Sequence, residues 1–304
     1  MKPLFTVLGF YAAASLAVAI PLAETSLHVP RHPLGNTTPY RTRIRTQYQT
    51  EVEDITLPTP DRAILHAWYI QPTHPNHRSV LILHGLGGNR IDSTGFADIF
   101  LTHGYSVLLP DSRAHGESTG PILTYGILER NDIALWTGWL RHRAPACTYL
   151  LGESMGAAIA LQSTAVDPNL CAVAVESPYA TFRAISYDRL GHATGTGPLF
   201  WRTLGRPALE LAILYTRIRY SLYLPDADPQ AAVQASNTPI LLIAGTADQN
   251  IPMHHAQQLA AACPTHCTLW IVPGAGHGGA STVAHDEFAT RVLNWFQTHD
   301  TATI

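Results

Sequence analysis

The sequence predicts an α/β domain: a mostly parallel sheet flanked by helices, with a small helical cap. Three observations carry that expectation. From Val80 onward, short continuous apolar runs alternate with segments of helical periodicity. At Gly152-Glu153-Ser154-Met155-Gly156 one such run passes into a helix with no room for a loop between them. Ser154, Asp248 and His277 each follow an apolar run, which places them at the strand ends where ligands bind in an open α/β sheet.

Composition sets the frame. The chain has 304 residues, 46% of them hydrophobic, enough for one large domain with a sizeable core. Net charge is −3, and basic residues cluster only modestly at Arg41, Arg43 and Arg45, so nucleic acid is not an expected partner. After Met1-Lys2-Pro3 the seventeen residues Leu4 to Ile20 carry no charge, and small residues stand at Ala17-Val18-Ala19 and Ala23. This is the layout of a signal peptide over residues 1–23, or of an uncleaved membrane anchor through residues 4–20. The alanine-rich core favours removal; in either case the rest of the chain is exported to the periplasm or beyond the cell. Residues 24–48 are polar, with Pro30, Pro33 and Pro39, and read as a linker before a folded domain at 49–300.

The elements follow in order. Val52 to Leu57 and Ile64 to Ile70 read as an antiparallel pair around Pro58-Thr59-Pro60-Asp61-Arg62, with Trp68 and Tyr69 as packing residues. Val80 to Leu83 is a buried strand followed by His84-Gly85-Leu86-Gly87-Gly88, a turn whose backbone N–H groups can approach a ligand closely. His84 is expected to brace that turn. Ile91 to Gly104 reads as a helix and Tyr105 to Pro110 as a strand. The polar block Asp111 to Ser118 then reads as a sharp loop held by side-chain to backbone hydrogen bonds. A helix from Ile127 to Trp139 leads into the strand Tyr149 to Leu151, the serine corner and the helix behind it, and then the strand Ala172 to Val175.

Residues 179–238 interrupt the alternation and read as a cap, in which Phe200, Trp201, Tyr215, Tyr220 and Tyr223 are candidate lining for an acyl pocket, although an aromatic stripe on a helix is more often plain packing. Ile240 to Ala244 and Leu269 to Val272 are the last strands, and Phe288 to Phe296 a closing amphipathic helix. Four cysteines permit two disulfides in an oxidising compartment. Cys147 and Cys171 precede neighbouring strands, while Cys263 and Cys267 bracket one tight loop, so these are the expected pairs, although spacing does not fix connectivity. No metal site is expected, because Cys263-Pro264-Thr265-His266-Cys267 lacks a second ligand cluster.

Chemistry follows from the corner. A strand turning straight into a helix holds Ser154 in a strained conformation with its hydroxyl above the sheet edge. The helix N-terminus brings the N–H of Met155 beside it, and the glycine-rich turn brings the N–H of Leu86; together they would form an oxyanion hole. A serine hydroxyl needs a base, and imidazole, with an ordinary pKa of about 6.5, can serve near neutrality. His277 is singled out from sixteen histidines by its place after the last strand, with Asp248 to fix its tautomer.

These motifs together, His84 to Gly88, Gly152 to Gly156, Gly245-Thr246-Ala247-Asp248 and Gly276-His277, resemble the α/β-hydrolase superfamily over about Val52 to Phe296. Within it the chain is most similar to exported or membrane-tethered hydrolases of the serine aminopeptidase-like branch. The resemblance implies an eight-stranded sheet, a structural role for the Asp111 to Ser118 loop, with Ala114 where glycine is usual, and hydrolysis through an acyl-Ser154 intermediate with no cofactor. The expected substrate is a small acyl ester, a thioester or a lipid-like ester. The alternatives are a serine peptidase acting on short peptides, for which Glu210 stands nearly alone as an acid in the cap, and a binding protein that kept the fold without the chemistry.

Overall fold

The computed structural model describes residues 2–301; Met1, the first residue of the expected signal segment, lies outside them. The strands are β1 (Val52–Pro58), β2 (Ile64–Ile70), β3 (Ser79–Leu83), β4 (Ser106–Pro110), β5 (Thr148–Glu153), β6 (Ala172–Glu176), β7 (Ile240–Gly245) and β8 (Cys267–Val272). They form one eight-stranded sheet in the order β1-β2-β4-β3-β5-β6-β7-β8. β1 and β2 pair antiparallel, β2 meets β4 antiparallel, and every later pairing is parallel.

The inner strands β3 to β7 are buried along almost their whole length, as strands covered on both faces must be. Their two-residue period divides the core. Val80 and Ile82 of β3 enter one apolar cluster and Leu81 and Leu83 the other. The first cluster is closed by α3 (Thr94–Leu101) and α12 (His285–Thr298), through Phe100, Phe288 and Phe296. The second is closed by α4 (Glu129–Arg143), α5 (Met155–Ser163) and α10 (His254–Ala262), through Trp136, Ile159 and Leu259.

Above the carboxyl ends of the parallel strands lie α6 (Phe182–Thr194), α7 (Pro198–Arg202) and α8 (Arg206–Tyr220). They form the expected cap. Its last stretch, α9 (Pro229–Gln234), returns to the layer beneath, with Val233 in the second core cluster. A four-residue helix, α11 (Ala280–Val283), precedes α12. The two disulfides are Cys147–Cys171 and Cys263–Cys267, with Cα atoms 5.8 and 5.5 Å apart. The first joins the starts of β5 and β6.

The segment before β1 differs from a polar linker. α1 (Lys2–Leu27) runs through the expected boundary at residue 23, and its stretch Leu8–Leu27 is long and apolar enough to cross a membrane. α2 (Thr38–Tyr48) occupies most of the remainder. Its reason is a narrow apolar face: Tyr40, Ile44 and Tyr48 recur every four residues, Ile44 is fully buried, and Tyr40 stacks on Trp68 with ring centroids 5.4 Å apart. The arginines between them are neutralised locally, Arg41 by Asp54, Arg43 by Asp98 and Arg45 by Glu51.

Candidate active site

β5 passes into α5 with Ser154 as the corner, at φ 56° and ψ −115°. Such a conformation costs a residue with a Cβ about 1–3 kcal/mol and persists only where neighbours impose it. Here Ser154 N–H donates to the Glu176 carbonyl at 2.9 Å, and the Ser154 carbonyl accepts from Ala158 at 3.1 Å. The flanking glycines leave no room for a side chain. A Cβ on Gly152 would stand 2.5 Å from the Gly156 carbonyl oxygen, and one on Gly156 2.5 Å from that of Leu83.

The structure brings the three expected polar residues into one chain of hydrogen bonds. Ser154 Oγ lies 2.8 Å from His277 Nε2, and His277 Nδ1 lies 3.0 Å from Asp248 Oδ2. An ionised carboxylate can only accept, so the imidazole proton sits on Nδ1 and Nε2 is free to accept from the serine hydroxyl. Asp248 is held tightly: its Oδ1 accepts the N–H groups of Asn250 (2.9 Å) and Ile251 (2.8 Å). Burial works to raise its pKa, but the hydrogen bonds from His277 and Ile251 outweigh it and keep the carboxyl below its ordinary value.

Leu86 and Met155 line the same cavity as Ser154 and His277. Met155 is the first residue of α5, where a helix has no internal acceptor for its N–H. The turn carrying Leu86 is braced from below. His84 Nδ1–H donates to the Gly85 carbonyl at 2.8 Å, while its Nε2 accepts from Ser112 N–H at 3.0 Å. Burial pushes the His84 imidazole down to about 3, so it stays neutral in that role. His115 Nε2 accepts from Gly87 N–H at 3.2 Å. The Asp111 to Ser118 block is therefore scaffolding for this turn. The buried Asp111 carboxylate accepts the N–H groups of Arg90 and Glu117, and Ala114 adopts a left-handed φ of 60°.

The cavity above Ser154 measures about 460 Å³, within the range of about 300–1,000 Å³ usual for small-molecule sites. Its walls are mainly apolar, from Phe182, Ile185, Leu190, Leu209, Ile213 and Leu224. The five aromatic residues that are candidates for this lining are placed elsewhere. Trp201 is buried and donates to Thr194, Tyr215 and Tyr220 donate to Glu24, Tyr223 accepts from Arg183, and Phe200 is partly exposed. The hydroxyl and indole groups of these residues take polar partners outside the cavity, and its aromatic lining comes instead from Tyr125, Tyr179 and Phe182, beside branched aliphatic residues.

Two carboxyls behind the histidine have no signal in the sequence. Glu153 precedes the serine, and Glu176 ends β6 with Oε1 accepting Ala280 N–H at 2.6 Å and Oε2 without a hydrogen-bond partner among the described residues. Burial raises the Glu153 carboxyl and drives Glu176 up to about 7, against the Ala280 hydrogen bond and with the Glu153 charge adding. A carboxyl raised in the folded state favours folding below its unfolded pKa, and that advantage is lost as pH rises through the folded value. From the ordinary 4.5 to about 7, the loss is about 3 kcal/mol between pH 4.5 and pH 8. Glu176→Gln should remove this dependence. Urea unfolding across that range is expected to show the variant gaining about 3 kcal/mol on the wild type, and parallel profiles would refute the assignment.

Among the described residues two clusters have metal-ligand composition. In the first, Cys263 and Cys267 are joined in a disulfide, so neither offers a thiolate. In the second, His255 Nδ1 accepts from Ala180 N–H at 3.3 Å, which puts the ring proton on Nε2, 3.0 Å from Asp188 Oδ2. His255 is committed to tying α10 to the cap rather than to an ion.

The sequence matches the Alpha/beta hydrolase family over residues 80–292. It is 25% identical over 215 residues to the uncharacterized protein YqkD of Bacillus subtilis, covering 69% of this chain and 68% of that one. Over 124 residues it is 27% identical to Lipase 3 of a Moraxella species, covering 41% of this chain and 38% of the lipase. Among solved structures, the Pyrococcus furiosus esterase Pf2001 superposes with a TM-score of 0.71 at 22% identity, covering 90% of this chain and 98% of the esterase.

Proposed function

This chain belongs to the alpha/beta hydrolase family, and from that premise we propose that it is a serine hydrolase that cleaves carboxylic esters or thioesters through an acyl-Ser154 intermediate. The observation that carries the reading is the unbroken hydrogen-bond chain Ser154–His277–Asp248 opening into an apolar cavity. His277 Nε2 takes the hydroxyl proton as Ser154 Oγ attacks the acyl carbon, and the N–H groups of Leu86 and Met155 receive the negative charge that develops on the carbonyl oxygen. The imidazolium then returns its proton to the departing alcohol or thiol. A water molecule repeats the sequence on the acyl-enzyme, releasing the acid and restoring Ser154.

The cavity favours an acyl chain over a peptide amine. In the cap, Glu210 is held by Arg183 through two hydrogen bonds of 3.1 and 2.9 Å and Asp188 by His255 at 3.0 Å, and neither takes part in the lining. The disulfides suit an oxidising compartment, in keeping with export.

The test is covalent. A fluorophosphonate probe is expected to add to Ser154 alone, seen as a mass increment on its peptide, and to abolish turnover of para-nitrophenyl butyrate in proportion. Neither labelling nor ester turnover would return the chain to a non-catalytic role; labelling without ester turnover would favour the peptidase.

A further inference from the structure

We propose that α1 belongs to the working enzyme: it walls the acyl cavity and, with the cap, forms an apolar face that rests in one leaflet of a lipid bilayer, so that Ser154 acts on acyl esters resident there. The substrate half of this proposal rests on the serine-ester reading above.

The wall comes first. Leu22, Ala23 and Ser26 line the cavity beside Leu209, Ala212 and Ile213 of α8. Ser15, Ala19, Ala23 and Leu27 recur every four residues and are all buried, so one side of α1 is sealed. Ala19 and Ala23 pack with Ala212, and Leu27 enters the cap's own core with Phe182 and Leu224. Polar ties fix the register. Tyr11 donates to the Leu204 carbonyl just before α8, Tyr215 and Tyr220 donate to Glu24 near its end, and Tyr125 donates to the Ser26 carbonyl at 2.8 Å. Leu123 N–H donates to the Leu27 carbonyl at 3.0 Å. Cleavage after Ala23 would remove Leu22 and Ala23 from the wall, with the Ala19 and Tyr11 contacts, and open the cavity beside Ala212.

The rest of α1 is largely bare. Phe5, Leu8, Phe10, Leu16, Val18 and Ile20 are exposed, Phe10 by 74%. On the cap beside it Leu199, Leu204, Leu214 and Ile218 are exposed as well, Ile218 by 76%. An apolar surface of this extent on a soluble protein marks an interaction site. A bilayer suits it for two reasons. At the Glu24 end, Arg219 stands over the Tyr220 ring and Arg217 over Tyr223, the pairing of aromatic and basic groups that settles at lipid headgroups. The length of α1 matches a membrane segment, but α8 lies along it and carries Arg206 and Glu210, which hydrocarbon would exclude. Shallow insertion in one leaflet satisfies both facts. An acyl chain would then pass from the leaflet along Leu22 to Ser154 without crossing water.

The full chain, purified in detergent and mixed with vesicles of phosphatidylcholine and phosphatidylglycerol, provides the test. The wild type is expected to cosediment and to hydrolyse para-nitrophenyl palmitate dissolved in the vesicles. Leu214→Glu with Ile218→Glu, both outside the cavity, should weaken vesicle binding and palmitate turnover by about tenfold or more, while soluble butyrate turnover stays within about twofold. Leu22→Trp should do the reverse, keeping vesicle binding and lowering palmitate relative to butyrate by about tenfold. A wild type that stays in the supernatant would overturn the proposal, as would a double variant unimpaired on vesicles or a dimer that the double variant dissociates. Failure of the serine reading looks different. Butyrate would be untouched and Ser154 unlabelled in the wild type, which would overturn the substrate half while cosedimentation still decided the face.

Discussion

Ser154→Ala is expected to lower kcat for a short acyl ester by about 10⁵- to 10⁶-fold, the scale of loss when the nucleophile of such a relay is removed. Nothing adjacent can replace it. The next hydroxyl at the strand ends, Ser177, is buried between Asp248 and Gly278 and takes no part in the cavity lining. What should survive is the slow background reaction helped by the Leu86 and Met155 N–H groups, since these do not depend on the hydroxyl. Stability should change little. Alanine keeps the same φ of 56° and loses one hydrogen bond, worth about 1 kcal/mol. Steady-state kinetics beside a thermal melt separate the two effects, and a folded variant retaining more than about a hundredth of wild-type turnover would exclude Ser154 as nucleophile.

Asp248→Asn is expected to cost about 10⁴-fold in kcat with the fold intact. The hydrogen bonds around the carboxylate dictate why. Oδ1 accepts two backbone N–H groups, from Asn250 and Ile251, so the amide of an asparagine must place its oxygen there and turn its NH₂ toward His277. Nδ1 then has to accept, the imidazole proton moves to Nε2, and Nε2 can no longer take a proton from Ser154. The charge that stabilises the imidazolium is lost at the same time. Turnover should recover partly as pH rises, because hydroxide can assist the unassisted serine; Asp248→Ala, which imposes no tautomer, should be less inhibited at neutral pH than its smaller side chain would suggest. Turnover within about tenfold of wild type in Asp248→Asn would remove Asp248 from the relay.

Both predictions concern residues whose positions are legible in the sequence. The serine corner is local: two glycines, a buried strand and a small-residue helix leave the chain one way to turn, and the Cβ distances at Gly152 and Gly156 restate that constraint in space. Asp248 and His277 stand out by their place after apolar runs, and the parallel order of β5, β6, β7 and β8 brings those strand ends together. His84 as a brace is equally readable, since a histidine at the start of a tight glycine turn has backbone groups within reach.

Where the structure departs from expectation, the departures share a cause. α2 reads as linker because its polar residues outnumber the apolar ones; the face made by Tyr40, Ile44 and Tyr48 becomes decisive only against Trp68, which is supplied by β2. Composition leaves the cap aromatics as candidates either for the pocket or for packing; a tyrosine goes where its hydroxyl finds an acceptor, and Glu24 lies about 190 residues away in the sequence. Glu176 is an ordinary strand end in one dimension, and becomes a raised carboxyl only when the fold buries it, against the Ala280 N–H hydrogen bond and with the Glu153 charge adding.

The sheet, the corner and the order of the three polar strand ends can be read from the residues alone, because each depends on backbone constraints acting over a few residues and on strand periodicity. What lines the cavity, which carboxyls lose their solvent and where α1 lies emerge only with packing. Those properties belong to surfaces assembled from distant segments, and a side chain's burial, charge and partners do not exist until those segments meet.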